Sequence, residues 1–353
     1  MKKIRVGLIG YGAVNQNLLR ILQDKQERLL AEYELQLQIV LVADSRGFAI
    51  DAQGFEPAAL LRHKAAGGCT ADLGARWSHR APERLAEHCD LIFEASPVNL
   101  KTGEPGLSLV RAALADGVSV VLANKGPLVL AFHELHELAA ASGAGLRYSA
   151  TVCGGLPVLN IARRDMVLGR ITRVRGVFNS TTNFILESMR DGKSFAAALD
   201  EAQRRGIAEA DPSLDIGGWD TANKLLIILN SVTGERLQLK DIQVSGIADM
   251  TIQRVQAEQA AGRVIRLVAE ASEGRYTVAP VALEATDFLA QCNGWEMALE
   301  YHSDIYGISY HKLWEREPAP TAASMLRDAV HILSGESLSH RSHTGWVGKR
   351  RPW

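Results

Sequence analysis

The stretch KKIRVGLIGYGAVN, residues 2–15, decides how the chain folds. Ile4 to Ile9 is a short aliphatic, β-branched run that reads as a strand. It enters the turn Gly10-Tyr11-Gly12-Ala13-Val14-Asn15, after which Leu18, Leu19, Ile21 and Leu22 recur at helical spacing. A second strand, Gln38 to Ala43, ends at Asp44-Ser45-Arg46-Gly47. A strand, a Gly-x-Gly turn, a helix and a second strand closed by an acid form the opening of a Rossmann-type, dinucleotide-binding unit. The glycines let backbone approach a pyrophosphate at the helix N-terminus, and the acid is placed for a ribose hydroxyl. Asn15 stands where the third glycine of the fingerprint belongs, and its side chain is expected to loosen helix–strand packing. Gly10, Gly12, Ala13, Val14, Asp44 and Arg46 are the expected cofactor contacts of this turn and strand end.

The alternation of strands and helices continues outward. Asp90 to Glu94 reads as a strand that stops at Ala95-Ser96-Pro97, Leu107 to Ala115 as a helix, and Val118 to Ala123 as a strand running into Asn124-Lys125-Gly126-Pro127. In an open parallel sheet ligands bind outside the carboxyl ends of strands, so Ser96, Asn124 and Lys125 fall where a cofactor is expected. Phe132 to Ala141 is a helix and Leu146 to Tyr148 a further strand. His133 and His136 on that helix have no third ligand nearby and read as surface residues rather than a metal site.

The rhythm changes near residue 150. A Gly-rich turn, Thr151 to Pro157, precedes a helix at Val158 to Arg164. A β-rich stretch, Ile171 to Asn179, follows, and Ser180-Thr181-Thr182-Asn183 opens a helix at Phe184 to Met189. Ser194 to Arg205 is helical, Val278 to Ala285 is β-rich, and Pro318 to Leu333 is a helix with Thr321 as its expected cap. The chain therefore reads as α/β, an N-terminal parallel sheet of Rossmann type with a second, α+β domain. Residues 1–149 are expected to bind the dinucleotide, with helix 318–334 packing back on them. Residues 150–317 form the second domain, and 335–353 form a basic tail expected to be disordered.

Within the second domain, residues 201–234, EAQRRGIAEADPSLDIGGWDTANKLLIILNSVTG, place Glu209, Asp211, Asp215 and Asp220 within twelve positions and follow them with Lys224. Pro212, Gly217 and Gly218 mark the acids as loop. Leu225 to Val232 reads as a mostly buried helix ended by Gly234, so Asp220 and Lys224, four apart, share a helix face. An exposed pair of this kind is ordinarily worth a few tenths of a kcal/mol, and a charged loop is ordinarily a solvated one. An acid loop that runs into a buried helix with a lysine at its mouth is a candidate site.

Totals limit the function classes. With 39 Lys and Arg against 40 Asp and Glu, net charge is -1, which gives no electrostatic case for nucleic acid or an acidic membrane. The four cysteines, Cys69, Cys89, Cys153 and Cys292, show no metal spacing and read as reduced thiols. No run approaches a membrane span, and the glycines at the N-terminus break any signal-peptide pattern, so a cytoplasmic protein is expected.

Several stretches resemble one family, the homoserine dehydrogenases. They are Phe93-Glu-Ala-Ser-Pro-Val-Asn99 through Pro105, Val121 to Leu128, Gly176 to Leu186, and Glu201 to Leu229 with its Ala208-Glu-Ala-Asp-Pro212, Asp215, Asp220 and Lys224. The resemblance implies an NAD(P)-dependent interconversion of L-homoserine and L-aspartate 4-semialdehyde, on the shared route to threonine and methionine. It implies that Lys125 and Lys224 stabilise or protonate the reacting oxygen, with Asp220 orienting Lys224. It also implies that Glu209 and Asp215 bind the substrate, with Thr182 donating to its oxygen or carboxylate, and that the protein is a homodimer built through the second domain. No metal is expected. About twenty residues follow the last helix, so the regulatory domain of some members is expected to be absent.

The chain departs from the family pattern at Asn15, at Ser180 for a glycine, and at Ser149 for a glutamate linked with a monovalent cation. It departs again at Ile308 to Trp314, where a glycine-rich loop near the nicotinamide is expected. On the cofactor, Asp44 favours NAD, whereas Arg46 with Lys64 favours the 2′-phosphate of NADP, and the balance leans to NADP. Two alternatives stand beside the leading expectation. One is a related oxidoreductase for another small amino or hydroxy acid. The other is a dinucleotide-binding protein without catalysis.

Overall fold

The structure is a computed structural model that describes residues 1–74, 76–316 and 318–335. The chain divides into two compact units, one of Met1–Gly155 with the last helix and one of Leu156–Arg316.

In chain order the first unit contains β1 (Lys2–Ile9), α1 (Ala13–Tyr33), β2 (Leu35–Asp44), β3 (Gly47–Phe55), α2 (Pro57–Ala65), β4 (Arg76–Ser78), β5 (Leu91–Glu94), α3 (Gly106–Ala115), β6 (Ser119–Leu122), α4 (Gly126–Ser142) and β7 (Leu146–Arg147). The sheet runs β4-β3-β2-β1-β5-β6-β7. β2, β1, β5, β6 and β7 are parallel. Val6, Leu8, Leu91, Ile92, Phe93, Val120 and Val121 are all fully buried, as expected of parallel strands covered on both faces. Strand order reverses at β1, between β2 and β5, so their carboxyl ends diverge and leave the crevice that ligands use in such sheets.

Two features of this unit were not legible. β3 and β4 add an antiparallel edge, because the chain turns back sharply at Asp44–Gly47 and β3 pairs with β2. Asn15 does the opposite of loosening the packing. It is fully buried, and its Nδ2 donates to Ile9 O at 3.0 Å and Gly10 O at 2.8 Å. A glycine there would let helix and strand approach; this side chain instead bonds the helix to the Gly10 carbonyl and, beside Ala95 N, to the Ile9 carbonyl.

The second unit contains α5 (Val158–Asn160), which passes into a π turn at Ile161–Asp165. β8 (Ile171–Val177), α6 (Ser180–Arg190), α7 (Phe195–Arg204), α8 (Ser213–Ile216), α9 (Trp219–Val232), β9 (Gln243–Val244) and α10 (Ile252–Ala260) come next. β10 (Arg263–Ser272), β11 (Arg275–Glu284), β12 (Glu296–Ser303) and β13 (Gly307–Trp314) complete it. Its sheet runs β13-β12-β8-β10-β11-β9, with α6, α9 and α10 packed on β10. α9 is apolar almost all round, and Leu225 to Val232 are all buried, which is how a helix enclosed by its domain reads.

Residues Ile308 to Trp314 are not a loop. They form the outermost strand, paired antiparallel with β12 from Gly307↔Ser303 to Trp314↔Glu296. Exposure alternates along them, with Ile308, Tyr310, Lys312 and Trp314 outward, and that period of two is the reason they form a strand.

The last helix, α11 (Ala319–Leu333), belongs to the first unit and packs on α1. Its N-cap is Pro318 rather than Thr321, which lies in the first turn; proline's fixed φ suits a helix start. Asp328 anchors it. The buried carboxylate accepts from Ser149 N at 2.7 Å and Ser149 Oγ at 2.8 Å, and burial pushes its pKa up despite those bonds. Ser149, in the position where a cation-linked glutamate was sought, is thus occupied by a helix contact. The basic tail expected over 335–353 lies, from residue 336 on, outside the described residues. Among the described residues no helix is long and apolar enough to cross a membrane.

Asn15→Ala removes two buried hydrogen bonds at the head of α1. It is expected to destabilise the first unit by about 1–3 kcal/mol, read as a lower urea midpoint at unchanged m-value. An unchanged midpoint would show that the amide does not hold the turn.

Candidate active site

The second unit's cluster is built around a residue that the sequence reading passed over. Asn179 follows β8 and is the N-cap of α6, its Oδ1 accepting from Thr182 N at 2.9 Å. Asparagine is a favoured residue at this position because its oxygen satisfies an orphan N–H of the first turn. The same side chain donates from Nδ2 to Asp215 Oδ1 at 2.7 Å and to Asp220 Oδ2 at 3.0 Å. One amide therefore joins the start of α6, the short helix α8 and the first turn of α9.

Asp220 also meets Lys224, whose Nζ lies 2.9 Å from Asp220 Oδ2, and both side chains are about seven-eighths buried, at 14% and 12% exposure. Lys224 Nζ donates in addition to Phe178 O at 2.6 Å. Gly218, at φ 80°, makes the sharp entry into α9 that sets Asp220 in its first turn. A largely buried ion pair with a second acceptor on the ammonium is geometrically fixed in a way that a solvated helix pair is not.

The other acids behave differently. Asp215 is half-buried and in the cluster. Glu209 is exposed, on a turn held by Gln203 Nε2, which donates to Glu209 O and Ala210 O at 3.2 Å. Its carboxylate makes no hydrogen bond or ion pair among the described residues. Asp211 closes its own turn, accepting from Ser213 N at 3.1 Å. Thr182 is fully buried, and its Oγ1 donates to Asn179 O at 3.0 Å, as a hydroxyl in the first helical turn commonly does toward nearby backbone.

In the first unit the nucleotide turn fits a dinucleotide. Gly10 adopts φ 90°, and a Cβ there would lie 2.4 Å from Ala95 O, so only glycine passes. A Cβ on Gly12, the N-cap of α1, would meet nothing within 4 Å, which leaves open space beside the helix start. The first turn, which begins with Ala13 and Val14, carries no acid, so the partial positive charge of the N-terminus is not cancelled.

Asp44 sits at the end of β2 but is already engaged. Its oxygens accept from Thr70 Oγ1 at 2.7 Å, Thr70 N at 3.0 Å and Arg46 N at 2.8 Å. Burial raises its pKa, but these bonds and the charge of Lys64 outweigh that and hold it below the ordinary aspartate value. Lys64 Nζ lies 5.1 Å from the centre of the Tyr11 ring, beside the same turn.

At the ends of β5 and β6, Ser96 and Asn124 are drawn inward. Ser96 N donates to Glu94 Oε1 at 2.9 Å, and Ser96 Oγ donates to the same oxygen. Asn124 Nδ2 donates to Ser96 Oγ at 3.2 Å, and Asn124 Oδ1 accepts from Gly126 N at 2.9 Å. Their side chains are joined in this internal chain. Lys125, the N-cap of α4, is half-buried between the two residues that the Asn124 side chain links. Glu94 was missed because an acid at the end of LIFE reads only as the polar stop of a strand. It is fully buried, and burial pushes its pKa up to about 7 against the bonds from Ser96 and Asn124.

His133 and His136 are half-buried rather than on the surface, packed against Phe132, with His136 Nε2 2.9 Å from Tyr148 OH. Among the described residues no group of three metal-ligating side chains occurs.

Two family models fall on the chain. The NAD binding domain of homoserine dehydrogenase matches residues 10–149, and homoserine dehydrogenase matches residues 157–330. The homoserine dehydrogenase of Methanocaldococcus jannaschii is 32% identical over 330 residues, covering 93% of this chain and 98% of that protein. The NAD(+)-dependent homoserine dehydrogenase of Pseudomonas canavaninivorans is 30% identical over 340 residues, covering 94% and 97%. A solved structure of a hyperthermophilic archaeal homoserine dehydrogenase mutant in complex with NADPH aligns at a TM-score of 0.83 and 25% identity, covering 96% of this chain and 99% of that one. A Gly-x-Gly turn that fits a dinucleotide, an oriented lysine among acids, and relatives matched along nearly their whole length lead to one conclusion: the chain belongs to the homoserine dehydrogenase family, oxidoreductases that act on a CH–OH group with NAD(P).

Proposed function

We propose that the chain interconverts L-homoserine and L-aspartate 4-semialdehyde, with Lys224 giving or taking the proton at the substrate oxygen. The observation that carries this reading is the cluster of Asn179, Asp215, Asp220 and Lys224. When bound, the dinucleotide supplies or accepts the hydride. In the direction of reduction the carbonyl oxygen gains negative charge and then a proton, and an ammonium fixed beside it both stabilises and protonates it. Asp220 Oδ2 and Phe178 O hold the Lys224 ammonium in one orientation, so little reorganisation is needed as the charge develops. In the direction of oxidation the neutral amine takes the hydroxyl proton. Glu209 and Asp215 are proposed to attract the substrate's ammonium group. Lys125, at the end of β6, supplies positive charge in the unit that holds the dinucleotide. Lys224→Ala is expected to lower kcat with homoserine by about a hundredfold or more, with the thermal midpoint little changed. A full rate in that variant would remove Lys224 from the chemistry.

We propose NADP as the preferred cofactor. Asp44, the acid that would select a ribose hydroxyl, already accepts three hydrogen bonds from its own unit, while Lys64 and Arg46 flank it with positive charge. Lys64→Ala should weaken NADPH binding by about tenfold, the scale of one charge-assisted contact, and leave NADH binding nearly unchanged. Equal losses for both cofactors in a fluorescence titration would refute this choice.

A different amino or hydroxy acid as substrate was suggested by the bulky residues at 308–314 together with Ser180 and Ser149. Residues 308–314 form an edge strand and Ser149 is bonded to Asp328, and homoserine is kept as the proposed substrate. On that strand Tyr310 and Trp314 are 53% and 61% exposed, with Ile308 beside them. An unpaired edge carrying large apolar side chains invites pairing with another copy, and we propose a homodimer through the second unit. Light scattering should give twice the chain mass for the native protein and a lower mass for Tyr310→Lys combined with Trp314→Lys; a native monomer would contradict it. The four cysteines are free thiols, which fits a cytoplasmic setting.

A further inference from the structure

Glu94 ends β5 with a fully buried carboxyl group. No charge contributes to the shift of its pKa. Its neighbours are Ile9 on β1, Leu122 on β6 and Gly106 at the start of α3, where a Cβ would press to 3.1 Å from Glu94 Oε1 and 2.7 Å from Asn124 Nδ2. An isolated carboxyl in such a place is costly unless it has a use. Here Oε1 takes both donors of Ser96, while Oε2 is buried with no partner among the described residues. From Oε1 a directed chain runs outward: Asn124 Nδ2 donates to Ser96 Oγ, and Asn124 Oδ1 accepts from Gly126 N, the amide that follows Lys125. Every link has one donor and one acceptor, so the position of Glu94 determines the rotamers of Ser96 and Asn124 and the orientation of the peptide after Lys125.

We propose that Glu94 is a positioning residue that acts through Ser96 and Asn124 to hold the Lys125 backbone at the strand ends where the cofactor's reacting end is bound. The proposal rests on the dinucleotide-dependent reading of this site, in which Lys125 lies beside the cofactor. Gly106 belongs to the same device, since any side chain there would push Asn124 off the chain. The arrangement also gives the chain a titratable head, because burial holds the Glu94 pKa near 7 and no other charge contributes to that shift. A carboxylate accepts from a serine hydroxyl more strongly than a carboxylic acid does.

The test compares native protein with Glu94→Gln and with Ser96→Ala, using NADPH fluorescence titrations and steady-state rates at several pH values. Glu94→Gln is expected to weaken NADPH binding and lower kcat by about tenfold each, the scale of one charge-assisted hydrogen bond, at a nearly native melting temperature. In the native protein, NADPH affinity should fall as pH drops through about 7. In both variants that part of the pH profile should be flat, and His63 and His79, present throughout, cancel in the comparison. Ser96→Thr, which keeps the hydroxyl, should restore the native profile. Native affinity and profile in Glu94→Gln would overturn the proposal, as would a loss of melting temperature with the native pH profile kept. If Glu94→Gln does not fold, Ser96→Ala decides by the same readings. Because NADPH binding is read without substrate, failure of the native protein to turn over homoserine would sink the proposed reaction and leave this test standing.

Discussion

The second unit depends on how many partners one asparagine can satisfy. An amide side chain is planar, with one accepting oxygen and two donating hydrogens in fixed directions. Asn179 uses the oxygen to cap α6 and divides the hydrogens between Asp215 and Asp220. The two carboxylates are therefore held apart by the width of one NH2 group, and Asp220 is left facing Lys224 on the next turn. An aspartate at 179 would keep the cap but add a third negative charge among acids. An alanine would leave a helix N–H and two half-buried carboxylates without their partner. The Asp220–Lys224 ion pair thus owes its geometry to a neutral residue.

The first unit solves a comparable problem with the same residue type. Gly10 must pass within van der Waals contact of the Ala95 carbonyl, which no side chain permits. From the first turn of α1 Asn15 donates to the Gly10 carbonyl and adds a second donor to the Ile9 carbonyl, which already accepts from Ala95 N. The usual glycine at this position gains close approach; asparagine gains two hydrogen bonds, and the helix start keeps its orientation toward a phosphate either way.

The legible parts of the fold are those that local sequence determines. Strands β1, β5 and β6 are buried on both faces and read as unbroken apolar runs; α9 announces itself by an apolar stretch closed with glycine. The site residues were readable as types at spacings: Asp220 and Lys224 one turn apart, and Gly10 and Gly12 in the turn. What escaped depends on partners distant in sequence. β13 is a strand because β12 pairs with it, and nothing in ISYHKLW distinguishes that from a reshaped loop. The Thr182 hydroxyl was visible in the sequence, whereas the Asn179 carbonyl that takes it was not. Asp44 looked available because Thr70, twenty-six positions on, could not be foreseen as its donor. Glu94 was hidden by the same limit, since only the folded sheet reveals that its carboxyl points to Ser96 and not to water.

A net charge of -1 conceals two opposite local assignments. From Glu209 to Asp220 the second unit sets four acids in twelve positions against the single lysine that follows. Lys224 offsets part of that charge, and the remainder favours a cation. The first unit is arranged the other way. The first turn of α1 has no acid, Asp44 keeps its charge but has it engaged by three donors, and Arg46, Lys64 and Lys125 stand at the strand and helix ends. Leaving the helix start without acids and engaging Asp44 with donors of its own unit, beside a few cations, favours a polyanionic cofactor while the overall balance stays near zero. Composition averages these two environments away, so the case for an anion on one unit and an ammonium on the other can only be made residue by residue.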